Sequence, residues 1–344
     1  MKIDAMAGSF AYAAQQSRNA EDAGADGVAT AEVNHDPFFP LAVAALTTQR
    51  VELITSIAVA FARNPMTVAL QARDLNDVSG GRFVLGLGSQ IKPHITRRYS
   101  MPWSAPTIRM REFVLAVRSI WDAWRDGTPL RFEGEYYRHT LMPPMMVPEP
   151  TPYANPRIVL GAVNTGMARV AGAVADGLHC HGFCTPRWLE TVIIPAVQEG
   201  LAESGRTRGD FEISCPVMVA TGRDDRSLHD AVEVLRSTIA FYGSTPAYRP
   251  VLDLHGWGDL GIELHRCSVN GQWQQMSALV PDQVLEAFAV IAPWDELPSR
   301  LVAQYGGVVD RLMYALPFDT APLDVLTDMI DQLHAADAPE PART

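Results

Sequence analysis

The chain has 344 residues, 47% of them hydrophobic, and its 28 basic against 39 acidic residues give a net charge of −11. That balance, with no lysine- or arginine-rich run, argues against nucleic acid or an anionic membrane surface as a main partner and points to a small-molecule enzyme with a large core. The sequence shows neither a basic leader with an apolar core nor an apolar run of the ~18 residues that a spanning helix needs. Its four cysteines are too few for a disulfide framework at this length, so a cytoplasmic protein is expected.

Short apolar runs alternate with helical patterns nearly throughout, the rhythm of βα units around a parallel sheet. Residues 3–7 read as a first strand, and Ser9 is positioned to cap a helix that stops at Gly24. A second strand at 27–32 precedes a helix near 39–48; a third at 51–59 precedes a helix that Pro65 starts and that runs through Leu75. The most compact step runs from Asp74 to Ser89. A helix end, the Gly80-Gly81-Arg82 turn, the continuous apolar strand Phe83-Val84-Leu85-Gly86-Leu87 and a glycine-rich exit follow one another directly.

A long amphipathic helix at 109–125, a small aromatic hairpin at 130–140 and an irregular proline-rich loop at 142–156 come next. The βα rhythm resumes with strands at 157–161, 177–181 and 211–220 and helices near 167–174, 186–204 and 227–242. Residues 243–273, with several glycines and His255, Trp257 and His265, read as a long excursion too aromatic to be disordered. A helix at 294–305, a strand at 310–316 and a last helix to Leu333 complete the pattern, and residues 335–344 read as a tail. The predicted architecture is one α/β domain, a (β/α)8 TIM barrel over residues 1–334 with insertions near 89–106, 128–156 and 243–280.

In such barrels chemistry gathers at the carboxyl ends of the strands. After the second strand, Glu32-Val33-Asn34-His35-Asp36-Pro37 crowds two carboxylates and an imidazole where a general acid can act; a solvated turn with Asp36 as helix cap is the other reading. Thr55 and Ser56 interrupt the apolar third strand and leave room for a planar ring, though core packing explains them equally. Gly86-Leu87-Gly88-Ser89-Gln90 follows the fourth strand, but a dinucleotide fingerprint needs a third glycine where Ile91 stands, which disfavours a Rossmann fold. After the fifth, Gly161-Ala162-Val163-Asn164-Thr165-Gly166 leads straight into a helix whose free amides suit a phosphate, with Asn164 or Thr165 as a plain cap the alternative.

Lys92, His94, Arg97 and Arg98 form a local basic group, either steering an anionic ligand or lying in a solvated loop. Trp103, His255 and Trp257 are candidate walls of a substrate pocket. His179-Cys180-His181 with Cys184 has metal-binding residue types, yet strand residues alternate between opposite faces, so no metal site is assigned.

At these positions the chain resembles the luciferase-like oxidoreductases that use a flavin or deazaflavin, specifically the coenzyme F420-dependent members. The resemblance covers residues 3–316 and is carried by Thr30 through Pro37, Ile57 through Thr67, Leu75 through Gln90, Arg109-Met110-Arg111-Glu112, Phe241 through Pro246 and Leu254 through Leu260. It implies an often dimeric barrel that binds the cofactor ring at its carboxyl-terminal mouth, behind a non-prolyl cis peptide that matches Ser56–Ile57. By the same resemblance Gly86, Gly88 and Ser89 border the cofactor, the backbone of Ala162, Val163, Asn164 and Thr165 binds its phosphate, and Glu32 contacts it. His35 is then the candidate acid or base, Glu32 and Asn34 its orienting neighbours, and the excursion with His255 and Trp257 a substrate lid. Relatives that oxidise glucose 6-phosphate carry a histidine directly after the acidic residue and a glutamate after the fourth-strand glycines; here Val33 follows Glu32 and Gln90-Ile91 stands in the glutamate region, which argues against a sugar phosphate. The implied reaction is hydride transfer, in the reducing direction, to or from a small organic substrate. An FMN-dependent monooxygenase and a catalytically silent flavin-binding module are the alternatives.

Overall fold

The computed structural model describes residues 1–336, so the predicted tail beyond Ala336 lies outside the described residues. Eight parallel staves close on themselves, namely Lys2–Met6, Gly27–Thr30, Glu52–Thr55, Phe83–Gly88, Arg157–Ala162, Gly177–Cys180, Glu212–Pro216 and Arg311–Met313. The third pairs with the fourth and the eighth with the first, which leaves no open edge. This is the (β/α)8 barrel predicted from the alternation of strand and helix patterns. Among the described residues no helix is long and apolar enough to cross a membrane.

The step from Asp74 to Ser89 folds as read. Asn64 caps the helix Pro65–Val78 by accepting the Thr67 amide, Gly80 and Gly81 adopt φ of 72° and 85°, and the fourth stave follows fully buried. The hairpin prediction also holds, as Phe132–Glu133 paired with Arg138–His139. It is pinned to the barrel by Glu112, whose Oε1 accepts the amides of Tyr136 and Tyr137 and whose Oε2 accepts that of Glu135.

Four expectations are corrected. Ser9 does not cap the first helix, which begins at Ala13; the Tyr12 amide donates to the Ser9 carbonyl, and Gln16 reaches back to the Gly8 amide instead. The third strand is interrupted, with Glu52–Thr55 and Ala58–Val59 on either side of a cis peptide at Ser56–Ile57. The predicted strand at 211–220 is two strands, because the chain leaves the barrel wall after Pro216 and Met218–Gly222 pairs in parallel with Ala289–Pro293. The excursion is helical, not a loop: Arg249–Leu254, Gly258–Val269, Trp273–Ala278 and Asp282–Phe288 bury Val251, Leu252, Leu264, Met276, Val284 and Leu285. These helices are short, and Gly256 and Gly271, with φ of 78° and 71°, end two of them, so the sequence reads as loop punctuation.

Inside the barrel, alternate residues of each stave build layers. At the amino-terminal end, staves begin with Lys2, Glu52, Arg157, Glu212 and Arg311, and the fully buried Arg311 guanidinium pairs with Asp4, Glu52 and, at 3.1 Å, Glu212. Above lies an apolar layer of Ala29, Ile54, Val84, Val159 and Met313. His179, whose Nδ1 meets Ser214 Oγ, and Gly86 come next. Continuing the alternation, Ser56, Gly88, Gly161 and His181 form the layer at the mouth.

Candidate active site

The Ile57 side chain lies across the barrel mouth, against the fourth and fifth staves. A Cβ on Gly88 would lie 2.6 Å from Ile57 Cδ1, and one on Gly161 3.3 Å from its Cγ2, so two inward-facing glycines on neighbouring staves make the space in which this side chain lies. The result is an apolar shelf at the carboxyl ends of the fourth and fifth staves. Met6, at the end of the first stave, is 47% exposed at the same face.

Glu32 fixes this shelf from outside. Its Oε2 accepts the Val59 amide at 2.7 Å and Arg63 Nη1 at 2.6 Å, and its Oε1 accepts the Tyr99 hydroxyl at 3.0 Å. Arg63 also binds Asp36 at 2.7 Å, and Asp36 accepts the Phe38 amide at 2.9 Å. Both oxygens of Glu32 are thus engaged, and the second-stave loop is clasped to the residues that follow the cis bond. Asn34 is exposed, and Arg98 donates to the Val33 carbonyl beside it. His35 is half-buried, its Nδ1 3.2 Å from the Asp36 carbonyl, and lines an apolar recess of about 320 Å³ with Phe10, Phe39 and Pro40.

Of the expected cofactor residues, Gly86 faces inward but is filled by the barrel itself, because Thr55 Oγ1 both accepts its amide and donates to its carbonyl, each at 2.8 Å. Ser89 donates to the Gln90 carbonyl. Asn164 caps the helix Thr165–Val174 by accepting the Met167 amide at 3.3 Å. The amides of Thr165 and Gly166, ahead of it, have no intrahelical acceptor and stay available to an anion. Ala162 and Val163 lead into that turn.

The three candidate substrate residues separate into two groups. Trp103 packs edge-on against Phe61, which Arg109 covers from 4.3 Å. His255 and Trp257 stack 4.7 Å apart with an interplanar angle of 10°, and His255 Nε2 meets Thr185 Oγ1 at 2.9 Å. Through Phe288 and Phe183 this pair joins a continuous aromatic wall with Tyr242, Tyr248 and His181.

Three groups at or just beneath this mouth were not singled out in the sequence as site residues. His179 is neutral, because burial pushes its imidazole down to about 3, and its Nε2 has no hydrogen-bond partner among the described residues. Tyr314, at φ 60°, directs a buried hydroxyl toward Ser56 without completing a hydrogen bond, and burial raises its pKa. His181 lies in the run weighed for metal; counting two residues on from His179 places it facing inward, while Cys180 packs outward near Cys215. Among the described residues no His, Cys, Asp and Glu side chains gather as a metal site.

The chain belongs to the luciferase-like monooxygenase family, whose model matches residues 2–311. It is 53% identical over 314 residues to an uncharacterized protein of Mycobacterium tuberculosis, covering 91% of this chain and 92% of that one. It is 32% identical over 199 residues to the F420-dependent glucose-6-phosphate dehydrogenase of Intrasporangium calvum, 55% of this chain and 57% of the relative. The coenzyme F420 dependent tetrahydromethanopterin reductase of Methanopyrus kandleri has the same fold, with a TM-score of 0.79 at 18% identity over 97% of this chain and 98% of that one.

Proposed function

We propose that the protein is an oxidoreductase that binds coenzyme F420 at the barrel mouth and uses it to reduce a small organic substrate. The observation that carries this reading is the apolar shelf formed by Ile57 over Gly88 and Gly161, beside the unpartnered Tyr314 hydroxyl. A flat ring with polar edges fits such a place: Ile57 would support its face, and Tyr314 and Ser56 would be available to its polar edge. The Thr165 and Gly166 amides suit the cofactor's phosphate, and the presence of F420-dependent proteins among the relatives supports the choice of a deazaflavin. F420, when bound, supplies a hydride from one ring carbon or accepts one there.

The chain's own part is orientation and exclusion of water. Glu32 and Arg63 hold the shelf in place, the aromatic wall from Phe183 to Trp257 covers the open side, and His35 and Asn34 border the entrance. A luciferase-like monooxygenase using FMN is the competing reading. Fluorescence quenching separates the two: F420 is expected to bind at least tenfold more tightly than FMN, and substrate turnover with FMNH2 and oxygen but not with F420H2 overturns the assignment.

A further inference from the structure

The helical insertion reaches the mouth through a polar contact whose protons can be assigned by counting donors. His181 shares the inward face of its strand with His179, whose Nε2 lies 3.1 Å from where a Cβ on Gly86 would stand. His181 Nδ1 accepts the Phe183 amide at 3.0 Å. A backbone amide only donates, so Nδ1 carries no proton. Burial pushes this imidazole down to about 4, so the ring is neutral and its one proton is on Nε2. Nε2–H therefore donates to Tyr248 Oη, 3.0 Å away, and the two rings stack at 4.5 Å.

Tyr248 is left with its own hydroxyl proton. No protein acceptor for that proton is present among the described residues, and the ring is half-buried, with Phe183 and Tyr242 on its other sides. Burial raises the phenol to about 12, so the proton stays on at neutral pH. The mouth thus presents a donor backed by a second donor, an arrangement that recognises an acceptor atom and favours one gaining negative charge.

We propose that Tyr248 donates a hydrogen bond, and then its proton, to the oxygen of a carbonyl substrate, with His181 as the positioning residue that aims its hydroxyl. The proposal rests on the hydride-transfer reading above. The carbonyl carbon takes up a hydride with its electron pair from the reduced deazaflavin, which is thereby oxidised by two electrons. The carbonyl oxygen receives the former π pair and the Tyr248 proton, giving an alcohol. The phenolate left behind accepts His181 Nε2–H until water reprotonates it. Proton transfer is downhill, since an alkoxide is a much stronger base than the phenolate it leaves.

The test compares wild type, Tyr248→Phe, His181→Phe and His35→Ala. F420 affinity by fluorescence quenching is expected to be equal in wild type and Tyr248→Phe within about twofold; if the wild type fails to bind F420, the proposed function falls rather than this inference. With F420H2 and cyclohexanone, benzaldehyde or acetophenone, Tyr248→Phe is expected to lower kcat at least ~10²-fold, more than it raises KM. His181→Phe, which keeps the stack but loses Nε2–H, is expected to lower kcat about tenfold. Independently of turnover, the carbonyl ¹³C resonance of acetophenone bound to the protein with oxidised F420 should move downfield of free ligand, and this displacement should vanish in Tyr248→Phe. Unchanged kcat in Tyr248→Phe, an undisplaced resonance in wild type, a larger loss in His35→Ala than in Tyr248→Phe, or an F420-bound wild type that reduces none of the three carbonyls overturns it.

Discussion

Gly86 and Gly88 sit two residues apart on one strand and face the same interior, yet their surroundings differ. A Cβ on Gly86 would stand 1.8 Å from the Thr55 carbonyl oxygen, which is backbone on the neighbouring stave and cannot yield. A Cβ on Gly88 would meet the far end of Ile57, which can turn away. Gly86→Ala is therefore expected to cost at least ~3 kcal/mol of stability in urea unfolding. Gly88→Ala should change stability by less than ~1 kcal/mol but weaken F420 binding about tenfold, because the shelf is displaced. Equal effects of the two on stability would refute the distinction. Both glycines were legible in the sequence as the glycines at the carboxyl end of the fourth strand. Which one makes room for a side chain and which for a backbone was not, because that depends on Thr55 and Ile57, brought alongside by strand pairing.

At the level of elements, the barrel and its order were legible because strands buried on both faces leave continuous apolar runs that alternate with helical patterns. The Ser56–Ile57 bond was reached only through family resemblance, since no local pattern of Thr55 to Val59 announces it. The clasp that Glu32 makes from the second-stave loop to Val59 was equally hidden; its residues read as a cluster of acid–base groups when their partners, 27 and 31 positions away, were unknown. With side-chain exposures of 7% and 13%, the Glu32–Arg63 pair is shielded enough to matter. Glu32→Ala leaves Arg63 and the Val59 amide without this acceptor and is expected to cost roughly 3 kcal/mol and to loosen F420 more than tenfold. An unchanged urea midpoint would show the clasp to be dispensable.

Titration in the barrel interior bears on the stability of the whole molecule. His179 and His181, held neutral by burial with pKa values of about 3 and 4, are depressed below the ordinary histidine value of 6.5. Below pH 6.5 the unfolded chain binds protons there that the folded chain refuses, so their stabilising contribution is present above 6.5 and is lost as pH falls toward 4, by up to ~1.4 kcal/mol per pH unit for each group. Asp4 acts oppositely. Burial, only partly offset by Arg311, raises it from 3.8 to about 7, so its contribution is full below 3.8 and is lost as pH rises through 7. These two imidazoles, joined by His139 and His255, which burial also lowers, outweigh one carboxyl, and urea midpoints should rise between pH 4 and 6.5. In His179→Gln the rise over that window should be shallower than in wild type; a slope as steep as wild type would contradict this balance.

The short parallel ladder of Met218–Gly222 with Ala289–Pro293 gives the molecule a further property. Its five register pairs, Met218 with Ala289 through Gly222 with Pro293, lock the strand that leads into the helical block alongside the strand that returns from it. Whatever hangs between them, the barrel meets the same two chain ends in the same register. The block is attached like a cartridge: on the proposed function, changes to its lining, Tyr248, His255 and Trp257 included, are expected to alter substrate range while the shelf and the barrel below it keep one geometry. On the proposed function, substrate selection and cofactor binding thus rest on separate parts of one chain.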